Sequence, residues 1–296
     1  MNPELEYFLN QLINGLSLGS MYAMIAVGYS MVYSLLYLIN FAHGDLYVFG
    51  TFIALALCTS GLPIVAAMIL AGFAAALIGM TIERTVYRPV RGASRMVPMI
   101  SALGAAFVLR TIAQVTWGTE PMAFPALISR GAGITIGEFQ IQYQQMLVLA
   151  VAAVAMLVLT WVMEKTKLGK ATQCIMQDIT TASLMGIPVN KIIPLIYGLG
   201  GFFGVIGGVL FSSYYNIISI DMGMWGTIKA WAAAMLGGVG SFYGSFFGGI
   251  LFGLAETFAG AYISTGFKEA IGYIVIVIIL LFKPTGLFGK KRAKKV

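Results

Sequence analysis

Apolar residues run through this chain in long, nearly uninterrupted stretches, without the one-faced or alternating patterns of a soluble fold. A hydrocarbon core about 30 Å thick needs roughly 20 apolar residues per helix. That length divides the chain into spans near 8–29, 31–57, 62–83, 97–116, 145–163, 192–214, 226–261 and 268–283. The expected fold class is therefore all-α, a single polytopic transmembrane helical bundle over residues 1–296 with about eight to nine crossings. The stretch 226–261 is too long for one simple pass and contains Gly237-Gly238-Val239-Gly240-Ser241. A helix break at Gly237, Gly238 and Gly240 is predicted there, giving two half-helices or a hairpin.

Glycines recur every four residues in Gly15 and Gly19, in Gly200, Gly204 and Gly208, and in Gly240, Gly244 and Gly248. Such spacing lines one helix face with small residues and allows close backbone approach between membrane helices. Both halves also place a glycine-dotted helix ahead of a polar-interrupted one: 15–37 before 38–57, and 198–211 before 226–253. That order predicts an internal duplication, with repeat halves 1–116 and 145–285.

Composition excludes a soluble globular protein: 59% of residues are hydrophobic and 10% charged, against about 25% charged in soluble domains. The net charge of +7 comes largely from clusters beside the spans. These are Arg84, Arg88, Arg91 and Arg95, then Lys165, Lys167, Lys170 and Lys191, and finally the tail from Lys290 to Lys295. Basic residues so placed determine topology, and the basic face of a folded nucleic-acid-binding domain is absent. The loop 84–95, the segment 164–191 and the C-terminus are predicted to be cytoplasmic, with the loop 117–144 outside. Counting back places the N-terminus, with Glu4 and Glu6, outside. The first apolar stretch begins near Phe8 without a basic n-region or cleavage site, so a retained span is expected. Cys58 and Cys174 have no metal-ligand spacing and are read as packing residues.

Little of the chain can carry bond-making chemistry. It has no G-x-x-x-x-G-K-[ST] loop, no hydrolase elbow, no His-Glu metal helix and a single histidine, His43. An enzyme is not expected, and any ATP must be hydrolysed by another polypeptide. The leading internal candidate is Asn40-Phe41-Ala42-His43-Gly44-Asp45, because polar groups at membrane depth are costly unless they meet a cavity or a partner. The competing account has Asn40 and Asp45 capping helix ends around a break at Gly44, with His43 donating a structural hydrogen bond. Of the other intramembrane charges, Lys229 is read as snorkelling to the headgroups and Glu256 as requiring a partner or a wet cavity. The polar stretch Lys165 to Pro188 reads either as a solvated connecting helix or as a segment docked on a cytoplasmic partner.

Residue strings add to this reading. They are Leu38-Ile39-Asn40-Phe41-Ala42-His43-Gly44-Asp45; Gly169-Lys170-Ala171 with Gln177-Asp178, Ala182 and Met185-Gly186-Ile187; Lys229-Ala230; Leu236 to Ser241; and the closing Pro284 to Gly289. Through them nearly the whole chain resembles the branched-chain amino-acid ABC transporter permease family, of the LivH kind. The resemblance implies an importer subunit in the bacterial plasma membrane for leucine, isoleucine and valine. It implies as partners a second homologous permease, two cytoplasmic ATPase subunits that use ATP and magnesium, and an external substrate-binding protein. No cofactor or metal is implied in this chain.

Within that resemblance Asn40, His43, Asp45 and Glu256 become candidates for the substrate pathway or its gating. Gly169, Lys170, Gln177, Asp178, Ala182 and Gly186 become the ATPase coupling segment, with Asp178 and Ala182 sharing a helix face. Gln173, Cys174 and Phe242-Tyr243 depart from the family's usual residues. Permeases for urea or short amides resemble the same pattern, and a self-sufficient secondary transporter or channel is the alternative of a different class. Asp45 and Glu256 are its plausible intramembrane carboxylates.

Overall fold

A computed structural model describes residues 3–36, 39–94, 96–128, 132–136, 139–238, 240–283 and 285–289. Leu38, Arg95, Val239, Pro284 and the basic tail 290–296, all used above, lie outside the described residues. Long helices dominate: α1 (Pro3–Leu36), α2 (Ala42–Thr59), α3 (Ile64–Ile82), α4 (Met96–Trp117), α5 (Tyr143–Lys165), α8 (Val189–Tyr215), α9 (Met222–Gly237), α10 (Phe242–Tyr262) and α11 (Lys268–Phe282). Two short helices, α6 (Lys167–Gln177) and α7 (Ile179–Leu184), connect α5 to α8. A π-helical turn at Glu83–Tyr87 continues α3. The small strand pairs β1–β4 (Met122–Ala123 with Ile217–Ile218) and β2–β3 (Gly133–Ile136 with Phe139–Gln142) are antiparallel.

Seven helices, α1 to α5, α8 and α10, are long and apolar enough among the described residues to cross a membrane. With 16 and 15 residues, α9 and α11 are shorter. The polytopic helical bundle is as expected, and the predicted interruption of 226–261 is present. Gly238 and Gly240 have φ of 111° and 91°, a left-handed backbone that favours glycine, and the Ser241 hydroxyl caps α10 by accepting from the Gly244 N–H at 3.1 Å. The outcome is a hairpin, with α9 and α10 packed on each other.

Glycines set its closeness. A methyl group on Gly248 would collide with the Ala233 carbonyl and, at 2.6 Å, with the Gly237 nitrogen. The same device recurs at the centre of the bundle. α1 crosses α8 where Gly28 meets Gly200, and it lies against α10 where Gly19 and Gly253 meet. α2 touches α9 where a side chain on Gly44 would strike the Gly223 carbonyl and Thr227. The four-residue glycine spacing therefore serves tight internal packing, and α1 and α8 are the most deeply enclosed helices.

The two basic segments lie at one end of the bundle. Arg91 Nη1 donates to Asn190 Oδ1 at 3.3 Å, joining the loop after α3 to the start of α8. Tyr243, at the tip of the α9–α10 hairpin, donates to Glu164 at 2.5 Å. The Phe288 N–H donates to the Gly237 carbonyl at 2.9 Å, which brings the C-terminal segment to the same tip. At the opposite end Gln145 donates to Asn14 at 2.7 Å and Gln144 to the Ser213 carbonyl at 2.7 Å, so the start of α1 meets the start of α5 and the end of α8.

Candidate functional site

The backbone break between α1 and α2 precedes Gly44: α2 begins at Ala42, and Gly44 lies inside it. The capping account needs correction accordingly. Asn40 Oδ1 accepts the Ala42 N–H at 3.1 Å, a cap-like bond, and also the Tyr87 hydroxyl at 2.7 Å, which ties the break to the end of α3. Asp45 caps nothing. Its Oδ1 accepts from Arg110 Nε of α4 at 3.0 Å, an ion pair in which Asp45 is buried and Arg110 half-buried.

His43 is 1% exposed and packs between α1 and α8, against Gly28 and Gly204. Its Nε2–H donates to the Ile25 carbonyl at 3.2 Å, because a carbonyl can only accept. That bond is the structural hydrogen bond of the capping account. His43 does not line the neighbouring cavity of about 490 Å³, whose wall includes Asp45, Arg110, Phe41, Phe107, Thr227 and Trp231. The segment 40–45 thus splits: Phe41 and Asp45 reach the cavity, while Asn40 and His43 hold α2 to its neighbours.

Glu256 finds the partner it was expected to need, and that partner is Lys229. Lys229 Nζ donates to Glu256 Oε1 at 3.0 Å and to the Tyr22 hydroxyl at 3.0 Å, with Lys268 Nζ 3.8 Å from the same carboxylate. With Lys229 8% and Glu256 2% exposed, the snorkelling reading of Lys229 is wrong. The ammonium turns inward because a fixed carboxylate and a tyrosine await it, between α1, α9 and α10. A third buried carboxylate, Glu83, carries an ion pair with Arg91 at the basic end. Glu256 and Asp45 belong to separate clusters, and no group of three His, Cys, Asp or Glu suited to a metal occurs among the described residues.

The connecting segment also departs from the sequence reading. Asp178 is extended, with φ −159°, and its Oδ1 accepts the Thr181 N–H at 2.8 Å, so it caps α7 and separates it from α6. Asp178 and Ala182 therefore do not share the face of one continuous helix. Ala182 is buried in the subunit itself, whereas Leu184 and Met185 are 83% and 79% exposed. Gly169 is buried where α6 folds back on the Met163 backbone, Lys170 and Gln177 are exposed, and Gly186 turns the chain with φ 82°.

The profile of the family described as "Branched-chain amino acid transport system / permease component" matches residues 11–283. The chain belongs to this family. The permease is 37% identical to the high-affinity branched-chain amino acid transport system permease protein BraD of Pseudomonas aeruginosa, with 99% of the chain and 100% of BraD covered. It is 35% identical to LivH of Escherichia coli K12, with both chains covered completely, and 25% identical to a probable LivH of Methanocaldococcus jannaschii over 90% of this chain and 88% of that one. Among solved structures it is similar to PsaBC from Streptococcus pneumoniae in complex with Fab, at 16% identity and a TM-score of 0.48 over 91% of this chain and 90% of that one. The permease is a multi-pass membrane transport subunit of a family that works in membrane complexes with other subunits.

Sequence reasoning missed Arg110, which it counted inside an apolar span. Its position in the chain carried the signal: a lone arginine within 97–116 needs a partner or a wet cavity, as Glu256 does.

Proposed function

We propose that this permease is one of two homologous membrane-spanning subunits of an ATP-driven importer for leucine, isoleucine and valine. It works with two cytoplasmic ATPase subunits, which use ATP and magnesium, and with an external substrate-binding protein. The observation that carries the reading is full-length similarity to BraD and LivH, both named for high-affinity branched-chain amino acid transport. The missing phosphate-binding loop agrees with ATP hydrolysis elsewhere. The coupling segment is α6–α7 with its flanks, and the Asp45 cavity belongs to the route.

Reconstituted with its partners in proteoliposomes, the permease is expected to accumulate leucine only when ATP is supplied to the ATPase side, and alone to hydrolyse none. ATP hydrolysis by the purified single chain, or leucine accumulation without ATP, overturns this reading. Uptake of urea in place of leucine would move the substrate class and leave the transport mechanism standing.

Sidedness follows from charge, since the end that carries Arg84, Arg88 and Lys165 to Lys191 is cytoplasmic by the positive-inside rule. Single cysteines at the exposed Ser94 and Thr119, in a background without Cys58 and Cys174, are expected to label from opposite sides. An impermeant maleimide applied to intact cells should modify position 119 alone. Labelling of both positions contradicts the topology.

A further inference from the structure

The Asp45–Arg110 pair has two features that a purely structural ion pair does not need. Arg110 approaches Asp45 through Nε alone, so among the described residues its two terminal nitrogens have no protein hydrogen bond. The pair also borders the cavity of about 490 Å³, a size within the roughly 300–1,000 Å³ of small-molecule sites. Much of the remaining wall is apolar, with Leu103 and Phe107 from α4 and Met224, Ile228 and Trp231 from α9. One charge of each sign beside an aliphatic and aromatic wall is the recognition chemistry of a zwitterion with an apolar side chain.

We propose that this cavity is an amino-acid subsite of the transport route. Arg110 binds the substrate's α-carboxylate, Asp45 binds its α-ammonium group, and the α4–α9 wall receives the aliphatic side chain. The proposal rests on the reading of the chain as an amino-acid importer subunit and names the residues that would recognise the substrate.

The free edge of a guanidinium presents parallel N–H groups at the spacing of a carboxylate, which makes Arg110 the natural anion end. An ammonium beside Asp45 shares that carboxylate with Arg110 Nε, so both charges of the pair stay compensated when substrate arrives and when it leaves. The protein's own pair competes with the ligand's charges, which keeps the subsite weak, and a route must release what it binds. Urea and short neutral amides bring no pair of opposite charges for Arg110 and Asp45.

The test uses the assembled complex in proteoliposomes, with leucine uptake and subunit assembly measured together. If the pair is only structural, Arg110→Leu strands the Asp45 charge and loses assembly, while the double variant Asp45→Leu/Arg110→Leu regains both assembly and uptake, as apolar replacement of a buried pair often does. The subsite predicts that the double variant assembles as wild type does while uptake falls about ten- to a hundredfold, the range for lost hydrogen bonds to charged groups. Leu103→Trp, which narrows the cavity at its apolar wall and leaves the pair intact, is expected to lower uptake comparably. Wild-type uptake in either assembled variant overturns the subsite. Wild-type protein that takes up urea but no leucine overturns the functional reading beneath it.

Discussion

Lys229→Met is expected to remove most of the permease from the membrane as a folded subunit. The substitution keeps the apolar stem and deletes the ammonium that donates to Glu256 Oε1 and to the Tyr22 hydroxyl, at 3.0 Å each, in the chain's interior. Glu256 is then left with Lys268, 3.8 Å away and half-buried, as its remaining cationic neighbour. Breaking one side of a buried ion pair costs about 3–5 kcal/mol, a large part of the roughly 5–15 kcal/mol that holds a domain folded. The double variant Lys229→Met/Glu256→Leu removes the stranded charge as well and is expected to recover most of the lost protein. Yield of monodisperse permease after detergent extraction, and its thermal midpoint, measure both. Wild-type yield and midpoint for Lys229→Met alone would show that Lys229 finds water in the assembled bundle, and the snorkelling reading would return.

This cluster shows how much of the site could be read from the sequence. The spans were visible because lipid imposes a length on every crossing, and the break after Gly237 because three glycines interrupt a helix that would otherwise continue. The demand of Glu256 for a partner was legible too, since a carboxylate in hydrocarbon is costly wherever it sits. Which cation answers that demand was not. Lys229 lies 27 residues away, and only the turn back from α9 into α10 brings the two together.

Asp45 and Arg110 repeat the case at a separation of 65 residues, joined by the packing of α4 beside α2. The composite segment 40–45 failed for a different reason. Helical geometry turns successive side chains to different neighbours, so adjacent polar residues divided between a cavity, a backbone carbonyl and the end of α3. Asp178 misled because it breaks the helix that its spacing from Ala182 presupposed: an aspartate that can cap the following turn competes with continued helix.

The proposed coupling segment yields the remaining expectation, which moves from Ala182 to Leu184 and Met185. These two side chains stand out from the end of α7 at 83% and 79% exposure, on the connection between α5 and α8 at the basic end of the bundle. Adjacent large apolar side chains exposed on this connection are the positions at which the proposed ATPase contact is best tested. Ala182, by contrast, is packed inside the permease, so a tryptophan there would disturb this subunit's own fold and report nothing about a partner. An ATPase that closes on ATP can shift the permease only through a contact that differs between its states. Leu184→Asp/Met185→Asp is therefore expected to leave the permease folded in the membrane and to cut the stimulation of ATPase activity by substrate and binding protein about tenfold or more, the scale on which buried interface anchors act. Loss of the ATPase subunits on purification would be the extreme form of the same result. Wild-type stimulation and uptake in the double aspartate variant would remove α7 from the contact and return the segment to a solvated connection.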